Sequence, residues 1–439
     1  MSQLLSIGQR FEKEDRWLIF AVTFVFAVLG LQYGFKASED RSAIVRWRVP
    51  LQEIGQGVNI YERHLHPNTP TMALLLRPLA LMPALPSALI WFSAKAVFAI
   101  LAIYWTFQMI EGAGDHFPCW ARLLAIALSI RPIAGDLSHG NVNLLILFLV
   151  VGGLYAFTLK RDFIAGLLLA LAIACKVTPA LFIPYFVWKR CWKVLAGCAV
   201  GLLVFVVAFP AIVCGWDFGM ELLLSWFRQM AEPYLLEGRV FYSEHNNQSL
   251  PGLLVRLLTH SPSFSKYIGS EYRPLEYHNV LSLEPTMVGW ISKAFMAIFA
   301  GLVIWVCRTP NEPRRHCSWV AEFSLVVLGM LLFSERTWKH HCVTLLLPFS
   351  VLAHGLCHYW FDRNLRRLLL GCLILSTALI ASTSTSLMGH AVGKLSQVYG
   401  AYVWAFVVLI AGLYVLLKAG QGRGHVAVGL MQETNEAPR

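Results

Sequence analysis

Long apolar segments separated by short polar ones dominate this sequence. A helix that crosses a bilayer needs about 20 mostly apolar residues. Segments of about that length lie at 17–35, 86–110, 142–159, 194–214, 287–307, 341–361, 366–388 and 396–418. Shorter apolar segments lie at 120–132, 163–175, 177–188 and 318–333. Short or broken helices are tolerated where they line a cavity, so the pattern predicts an all-α polytopic membrane protein of about twelve transmembrane helices.

The composition excludes a soluble domain. Of the 439 residues, 57% are hydrophobic and 14% are charged, whereas soluble domains carry about 25% charged residues. The formal net charge is +11, but the basic residues form short clusters between apolar segments rather than one long face. This distribution argues against a nucleic-acid partner and is typical of a protein surrounded by membrane lipids.

The basic clusters also predict an orientation. With the N-terminus in the cytoplasm, they fall in the cytoplasmic turns, as the positive-inside rule requires. These clusters are 160–162, 189–193, 308–315, 363–367 and the C-terminal tail. The outer loops are then 36–70, 133–141, 215–286 and 334–340. We expect a multi-pass protein of the cell (inner) membrane with both termini cytoplasmic, one transmembrane domain over 1–418 and a disordered cytoplasmic tail over 419–439.

The first outer loop, 36–70, begins with two adjacent acids, Glu39 and Asp40. Carboxylates next to a membrane span are commonly solvated, and Arg41 and Arg46 are near enough in sequence to pair with them. A carboxylate at the mouth of a membrane cavity can instead act as a general base towards a hydroxyl group. The residue pattern leaves both interpretations open, and it does not choose between the two acids.

Lys176 lies within an otherwise apolar segment, shortly before Pro179. An ionisable residue at membrane depth is costly and is by default a functional-site hypothesis. The proline predicts a helix break, so that two short helices would meet near the lysine. Its ammonium group would there neutralise a lipid phosphate, unless the side chain reaches the outer surface by snorkelling.

Two other outer segments are rich in polar groups. The segment 131–145 contains Asn141 and Asn143, which can bind a ligand or cap the following helix. The segment 333–349 gathers charged, aromatic and imidazole side chains and is suited to contact sugar and phosphate. Adjacent histidines on one helix rarely share a metal, and no HExxH spacing accompanies His340 and His341, so no metal site is predicted.

Motifs for soluble donors are missing from the sequence. There is no DxD pair, no Walker loop and no GxGxxG turn, and the cytoplasmic turns are too short to hold a nucleotide-binding domain. We therefore expect no cofactor and a donor that reaches the site from the lipid or from the outer side.

The order of motifs resembles the polytopic C-type glycosyltransferases of family 87, the polyprenyl-phosphate-mannose-dependent alpha-mannosyltransferases. An acid follows the first span, and the corresponding later motifs extend the likeness to roughly residues 15–420. They are GVNIYE (57–62), RPIAGDLSHGNVNLL (131–145), AGLLLALAIACKVTPALFIPY (165–185), NNQSLPGLLVRLL (246–258) and WKHHCVTLLLP (338–348).

The resemblance implies a C-type glycosyltransferase-like bundle. It also implies a metal-independent, inverting transfer of a hexose, mannose in this family, from polyprenyl phosphate to a hydroxyl group of a lipid or glycan on the outer face. Asp40, or alternatively Glu39, would be the base. The donor phosphate would bind Lys176, Arg131 and Arg336. The sugar and acceptor would contact His139, Asn141, Asn143, Asn247, Gln248, Trp338, His340 and His341.

Other classes of membrane protein remain open at this stage. A secondary transporter of a sugar or anionic solute would also have about twelve helices and an intramembrane lysine, although the sequence lacks two matched halves with paired broken helices. An oligosaccharide ligase or polymerase is a rival among enzymes. The residues themselves identify neither the sugar, nor the acceptor, nor the oligomeric state.

Overall fold

The structure is a computed structural model. It describes residues 20, 23–24, 27–35, 39, 42–64, 66–112, 116–236, 242–268, 271–314, 316–359 and 362–435.

The described chain folds almost entirely into helices. In its first half they are α1 (27–35), α2 (Ala43–Arg46), α3 (Arg48–Glu53), α4 (Ile60–His64), α5 (Pro70–Ala80), α6 (Ala84–Glu111), α7 (Cys119–His139), α8 (Asn143–Thr158), α9 (Asp162–Cys175), α10 (Phe182–Trp188) and α11 (Trp192–Cys214). In its second half they are α12 (Trp216–Trp226), α13 (Glu232–Leu235), α14 (Leu250–Leu258), α15 (Pro285–Val306), α16 (Cys317–Leu332), α17 (Leu346–His358), α18 (Arg363–Ser382), α19 (Thr385–Met388), α20 (His390–Val398) and α21 (Ala401–Asn435).

Several shorter elements interrupt or extend these helices. The 3₁₀ turns are Ile54–Gln56, Thr178–Leu181 and Lys339–Leu345. Segments of π-helix lie at Leu203–Ala208 and Phe227–Ala231. An antiparallel hairpin of β1 (Pro262–Ile268) and β2 (Glu271–Tyr277) stands within the long segment 215–286. The sequence did not predict this hairpin.

Six helical stretches of the described chain are long and apolar enough to cross a membrane. They are Ala84–Glu111, Trp192–Cys214, Pro285–Val306, Lys339–His358, Arg363–Ser382 and Ala401–Gly420. Shorter apolar helices are Asn143–Thr158, Asp162–Cys175, Thr178–Trp188 and Cys317–Leu332. The predicted helical, polytopic membrane protein is therefore confirmed, but the number of about twelve spans is not.

Individual spans differ from their predicted bounds. The segment 142–159, predicted as a full span, is the 16-residue helix α8, which is short for a bilayer. The first span, 17–35, is described only in part. The last helix, α21, continues into the segment 419–439, whose role as a disordered cytoplasmic tail stays a prediction.

The helix break at Lys176 is present where Pro179 predicts it. Helix α9 ends at Cys175, Lys176 is extended (φ −158°, ψ 124°), and a 3₁₀ turn begins at Thr178. Helix α9, which precedes the break, packs closely on α11. The two backbones are so close at Gly166 that a side chain there would collide with the carbonyl oxygen of Val194. Small residues permit such close helix contacts in membranes. The break therefore occurs next to a rigid helix pair.

Gly140, at the end of α7, packs against the beginning of α2 in the first outer loop. It ends α7 in the left-handed conformation (φ +71°), which favours glycine. Its carbonyl oxygen accepts a hydrogen bond from Trp91 Nε1 (2.9 Å). A Cβ atom at this position would lie 2.8 Å from the Tyr33 hydroxyl and 3.3 Å from the backbone nitrogen of Ala43. The turn thus brings α1, α2, α6 and α7 together.

Candidate active site

A buried ion pair links α6 to the end of α7. The side chains of Lys95 and Asp136 are both fully buried, and Lys95 Nζ lies 3.7 Å from Asp136 Oδ2. The same ammonium donates to the carbonyl oxygens of Asp136 (2.7 Å) and Leu137 (3.3 Å). The backbone N–H of Leu144 donates to Asp136 Oδ2 (3.3 Å). Buried charges persist when they are paired and hydrogen-bonded in this way.

An amide group connects this ion pair to the helix break. Asn143, the first residue of α8, donates from Nδ2 to Asp136 Oδ1 (2.8 Å). Its Oδ1 accepts a hydrogen bond from Lys176 Nζ (2.6 Å). Lys95, Asp136, Asn143 and Lys176 thus form one continuous polar chain from α6 through α7 and α8 to the break after α9.

The chain ends at a pocket beside Lys176. The pocket is a partly open cavity of about 20 Å³, which has room for about one water-sized group. Its lining consists of Asn143, Ile146, Lys176, Thr178, Met330, Leu331, Ser334, Thr337, His341, Val343 and Thr344. The lining therefore combines polar side chains, among them the cation Lys176, with apolar ones. An oxygen of an anionic group fits such a space beside the Lys176 ammonium.

Imidazole and indole rings cluster around His341, which lines this pocket. His139 and His340 stack with their ring centroids 4.9 Å apart, and Asn141 Nδ2 lies 3.0 Å from His340 Nε2. The Trp338 ring lies 5.5 Å from that of His340 and 5.7 Å from that of His341. Flat rings beside an amide are suited to pack against a sugar and bind its hydroxyl groups.

A comparison with known protein families identifies the chain. The model of glycosyltransferase family 87 matches residues 67–334, a range that contains Lys95, Asp136, Asn143 and Lys176. This protein belongs to glycosyltransferase family 87. The predicted resemblance is confirmed, and the protein is a membrane glycosyltransferase.

Two of the named relatives of this family 87 protein come from mycobacteria. A polyprenol-phosphate-mannose-dependent alpha-(1-2)-phosphatidylinositol mannoside mannosyltransferase of Mycobacterium tuberculosis is 27% identical over 376 residues, covering 80% of this chain and 76% of the relative. The enzyme of the same name from Mycolicibacterium smegmatis is 26% identical, covering 70% of this chain and 66% of the relative. Among solved structures, ArnT from Cupriavidus metallidurans bound to undecaprenyl phosphate aligns with 91% of this chain and 78% of its own, at 12% identity and a TM-score of 0.41.

The family 87 protein does not place all three predicted phosphate-binding residues in the pocket. Lys176 lines it, whereas Arg131 and Arg336 are not among the lining residues. Arg131 Nη1 donates to the carbonyl oxygen of Ile380 (2.7 Å). The Arg336 guanidinium lies 4.8 Å from the Tyr242 ring centroid. Both arginines therefore make other contacts in this structure, and their role towards phosphate stays a prediction.

Two predicted sugar-binding amides, Asn247 and Gln248, are fully buried. Asn247 Oδ1 accepts from the backbone N–H of Thr337 (3.0 Å), and its Nδ2 donates to the carbonyl oxygen of Glu335 (2.9 Å). Gln248 Nε2 donates to the carbonyl oxygen of Gln397 (2.8 Å). In this structure the two amides hold the loop against its neighbours, and a contact with sugar stays a prediction.

The same loop carries an imidazole beside a lysine. His245 Nε2 lies 2.6 Å from Lys394 Nζ, and its Nδ1 lies 3.2 Å from the carbonyl oxygen of Ser263. Burial, and then the positive charge of Lys394, lower the pKa of His245 to about 4. The imidazole is therefore neutral at pH 7, with its proton on Nδ1 and its Nε2 accepting from the ammonium.

The predicted catalytic acids are described incompletely. Asp40 lies outside the described residues. Glu39 is exposed in a turn. Ser42, two residues after Asp40, begins α2 and lies against Gly140. The described part of the first outer loop thus reaches the turn that carries His139.

Sequence reasoning missed Lys95 and gave no role to Asp136. A signal for Lys95 was present, because it is a lysine within a long apolar helix and the reasoning that singled out Lys176 applies to it equally. Among the described residues, no group of three or more His, Cys, Asp or Glu side chains is arranged to hold a metal ion.

Proposed function

We propose that this glycosyltransferase moves a hexose, mannose, from a polyprenyl phosphate to a hydroxyl group of a lipid or glycan acceptor on the outer face of the inner membrane, with inversion. The observation that carries the proposal is the Lys176 ammonium in a pocket that also has apolar lining residues. The mycobacterial relatives are named as polyprenol-phosphate-mannose-dependent enzymes, which supports the choice of donor.

Lys176 is suited to bind the donor phosphate. Among the described residues the structure records no carboxylate within ion-pair distance of its ammonium, so its charge is left for a ligand. In the transfer, the bond from the anomeric carbon to the phosphate oxygen breaks, and the electron pair leaves with the phosphate. A preorganised cation stabilises that developing charge. Arg131 and Arg336 would add positive charge from outside the pocket lining.

The sugar would lie between the phosphate and the ring cluster. Hydroxyl groups would be bound by the ring cluster and its amide, which are His139, Asn141, Trp338, His340 and His341. Because His341 also lines the pocket next to Lys176, a hexose attached to a phosphate at Lys176 would be within reach of this cluster.

Asp40 would act as the base that removes the proton from the acceptor hydroxyl, with Glu39 as the alternative. Its sequence position supports this role, since Ser42 lies against the Gly140 turn beside the ring cluster. An inverting displacement needs one base, which activates the acceptor on the face opposite the leaving phosphate.

A transfer assay tests the proposal. Purified full-length protein in proteoliposomes would be incubated with labelled polyprenyl phosphate mannose or glucose and with extracted membrane lipids. We expect label on a lipid or glycan product from the mannose donor. Asp40→Asn should lower the rate by about 10²- to 10⁴-fold, as removal of a general base does, and Glu39→Gln should leave it unchanged.

Three outcomes would contradict parts of this proposal. Transfer from the glucose donor alone would refute mannose. Full activity of Asp40→Asn with loss in Glu39→Gln would move the base to Glu39. Uptake of a solute into sealed vesicles, with no transfer from either donor, would support a transporter instead.

A further inference from the structure

We infer that Asn143 is a positioning residue that aims the ammonium of Lys176 into the pocket without neutralising it, and that Asp136, paired with Lys95, holds Asn143 in that orientation. This inference rests on the proposed binding of donor phosphate by Lys176. It assigns Asn143 a different task from the sugar contact that the sequence predicts.

The neighbours of Asn143 fix which way its amide points. An ionised carboxylate only accepts hydrogen bonds, and an ammonium only donates them. Asp136 Oδ1 therefore requires the NH₂ group of Asn143, at 2.8 Å, and Lys176 Nζ requires the carbonyl oxygen, at 2.6 Å. The reversed amide would place like groups against each other on both sides. Asp136 thus determines the direction of the hydrogen bond received from Lys176.

The charges along the chain leave one cation uncompensated. Lys95 and Asp136 carry opposite charges 3.7 Å apart and are both fully buried. Lys176 adds a second positive charge, and its partner, the Asn143 amide, is neutral. An aspartate at position 143 would have nearly the same shape but would cancel that charge. The asparagine therefore fixes the position of the ammonium through a hydrogen bond. Because the amide is neutral, the ammonium keeps its full attraction for an anion.

Lys176 has hydrogen-bond donors left to offer a ligand in the pocket that it lines. An ammonium has three N–H groups, and in the described structure one is given to Asn143. Lys176 and Asn143 both line the pocket, with the hydroxyl groups of Thr178, Ser334 and Thr337 around them. A phosphate oxygen in this position would complete the hydrogen bonds of the ammonium.

Binding of undecaprenyl phosphate to the detergent-purified full-length protein tests the inference. Asn143→Asp should raise the Kd by about 10- to 100-fold, since it pairs the ammonium that the phosphate needs. Asn143→Ala should raise it less, because the charge of Lys176 remains. Binding of undecaprenol, which lacks the phosphate, should be equal in all variants. Asn279→Asp, which adds a carboxylate in an exposed loop, is the matched control and should bind undecaprenyl phosphate as the wild type does.

The outcomes separate this inference from the proposed function. Wild-type affinity in Asn143→Asp, together with loss of binding in Lys176→Met, would overturn the positioning role alone. Wild-type affinity in Lys176→Met would overturn the donor site itself. Equal losses for undecaprenyl phosphate and undecaprenol would show a purely structural effect. If Asn143→Asp does not fold, the exchange Asp136→Asn with Asn143→Asp removes the facing carboxylates, and wild-type affinity in that variant would also overturn the inference.

Discussion

Two buried lysine–carboxylate pairs, Lys95–Asp136 and Lys189–Glu322, stabilise different parts of the bundle. The first joins the consecutive helices α6 and α7, the second joins the end of α10 to the distant helix α16, and the four side chains are at most 5% exposed. The first pair continues through Asn143 to the pocket cation Lys176. The second pair ends within the protein.

The Lys189–Glu322 cluster is closed because protein groups meet its charges. Glu322 accepts hydrogen bonds from the Tyr185 hydroxyl (2.7 Å) and the backbone N–H of Thr309 (2.6 Å). Lys189 Nζ lies 3.1 Å from Glu322 and donates to the carbonyl oxygen of Thr309 (2.6 Å). The ammonium also lies 4.3 Å from the ring centroid of Trp319.

The difference shows that a buried charge is not in itself a sign of a ligand site. Both clusters bear the cost of removing ions from water, and in both it is offset by pairing and hydrogen bonds. The Lys189 cluster contains equal charges, whereas the Lys95 chain contains two cations and one anion beside a pocket. Uncompensated charge next to open space distinguishes the candidate site, and the predictions below test that distinction.

The largest expected effect concerns the uncompensated cation. Lys176→Met should lower the rate of sugar transfer by about 10²- to 10³-fold, as loss of a group that stabilises transition-state charge does. Lys189→Met should leave the rate unchanged for each folded molecule. The transfer rates of the two variants are compared at saturating donor concentration. Each rate is divided by the folded fraction, which gel filtration determines. Equal losses in the two variants would contradict the distinction between the clusters.

The closed cluster should instead show its importance in stability. Lys189→Met leaves Glu322 buried without its cation, which costs about 3–5 kcal/mol. The thermal unfolding midpoint of the detergent-solubilised protein should therefore fall. A second substitution, Glu322→Leu, should recover part of the loss because it removes the unpaired charge. A double variant that is less stable than Lys189→Met would refute this account.

The sequence predicts those features of the site that a short segment shows by itself, and not those that depend on contacts between distant segments. Lys176 was found because one lysine in an apolar segment is visible without knowledge of its partners. Its connection to Asp136 through Asn143 was not predictable, since the three residues meet only when α7, α8 and the break after α9 pack together.

Residue type alone also fails to show which way a polar group faces. Asn247 and Gln248 resemble ligand-binding amides in sequence, yet the structure pairs them with backbone groups of distant segments. The fold class was predictable because apolar length is a local property. The hairpin β1–β2 was not predicted, since in the described chain it is an isolated two-stranded sheet inside the long segment 215–286.

The contact between His245 and the cation Lys394 predicts that the stability of the protein depends on pH. Lys394 faces a neutral imidazole, and burial with this charge lowers the pKa of His245 to about 4 from an ordinary value of 6.5. The unfolded state therefore binds the proton more readily. The contribution of neutral His245 is complete above about pH 6.5 and is lost as the pH falls towards 4, by on the order of 2 kcal/mol between pH 7 and pH 5. Unfolding midpoints should decline less over this range in His245→Gln, and parallel declines would refute the assignment.

The smallest effect is expected for an exposed pair on the same side as the closed cluster. Lys160 Nζ lies 3.0 Å from Glu312 Oε2, but the two side chains are 67% and 54% exposed. Water screens such a pair, so Lys160→Ala should change stability by about 0–1 kcal/mol. Arg314 and Asp162, each 14% exposed, provide the internal comparison, and Arg314→Ala should cost more. If unfolding midpoints of the two variants fall equally, exposure does not set the strength of these pairs, and the contrast drawn from the Lys189 cluster loses its physical basis.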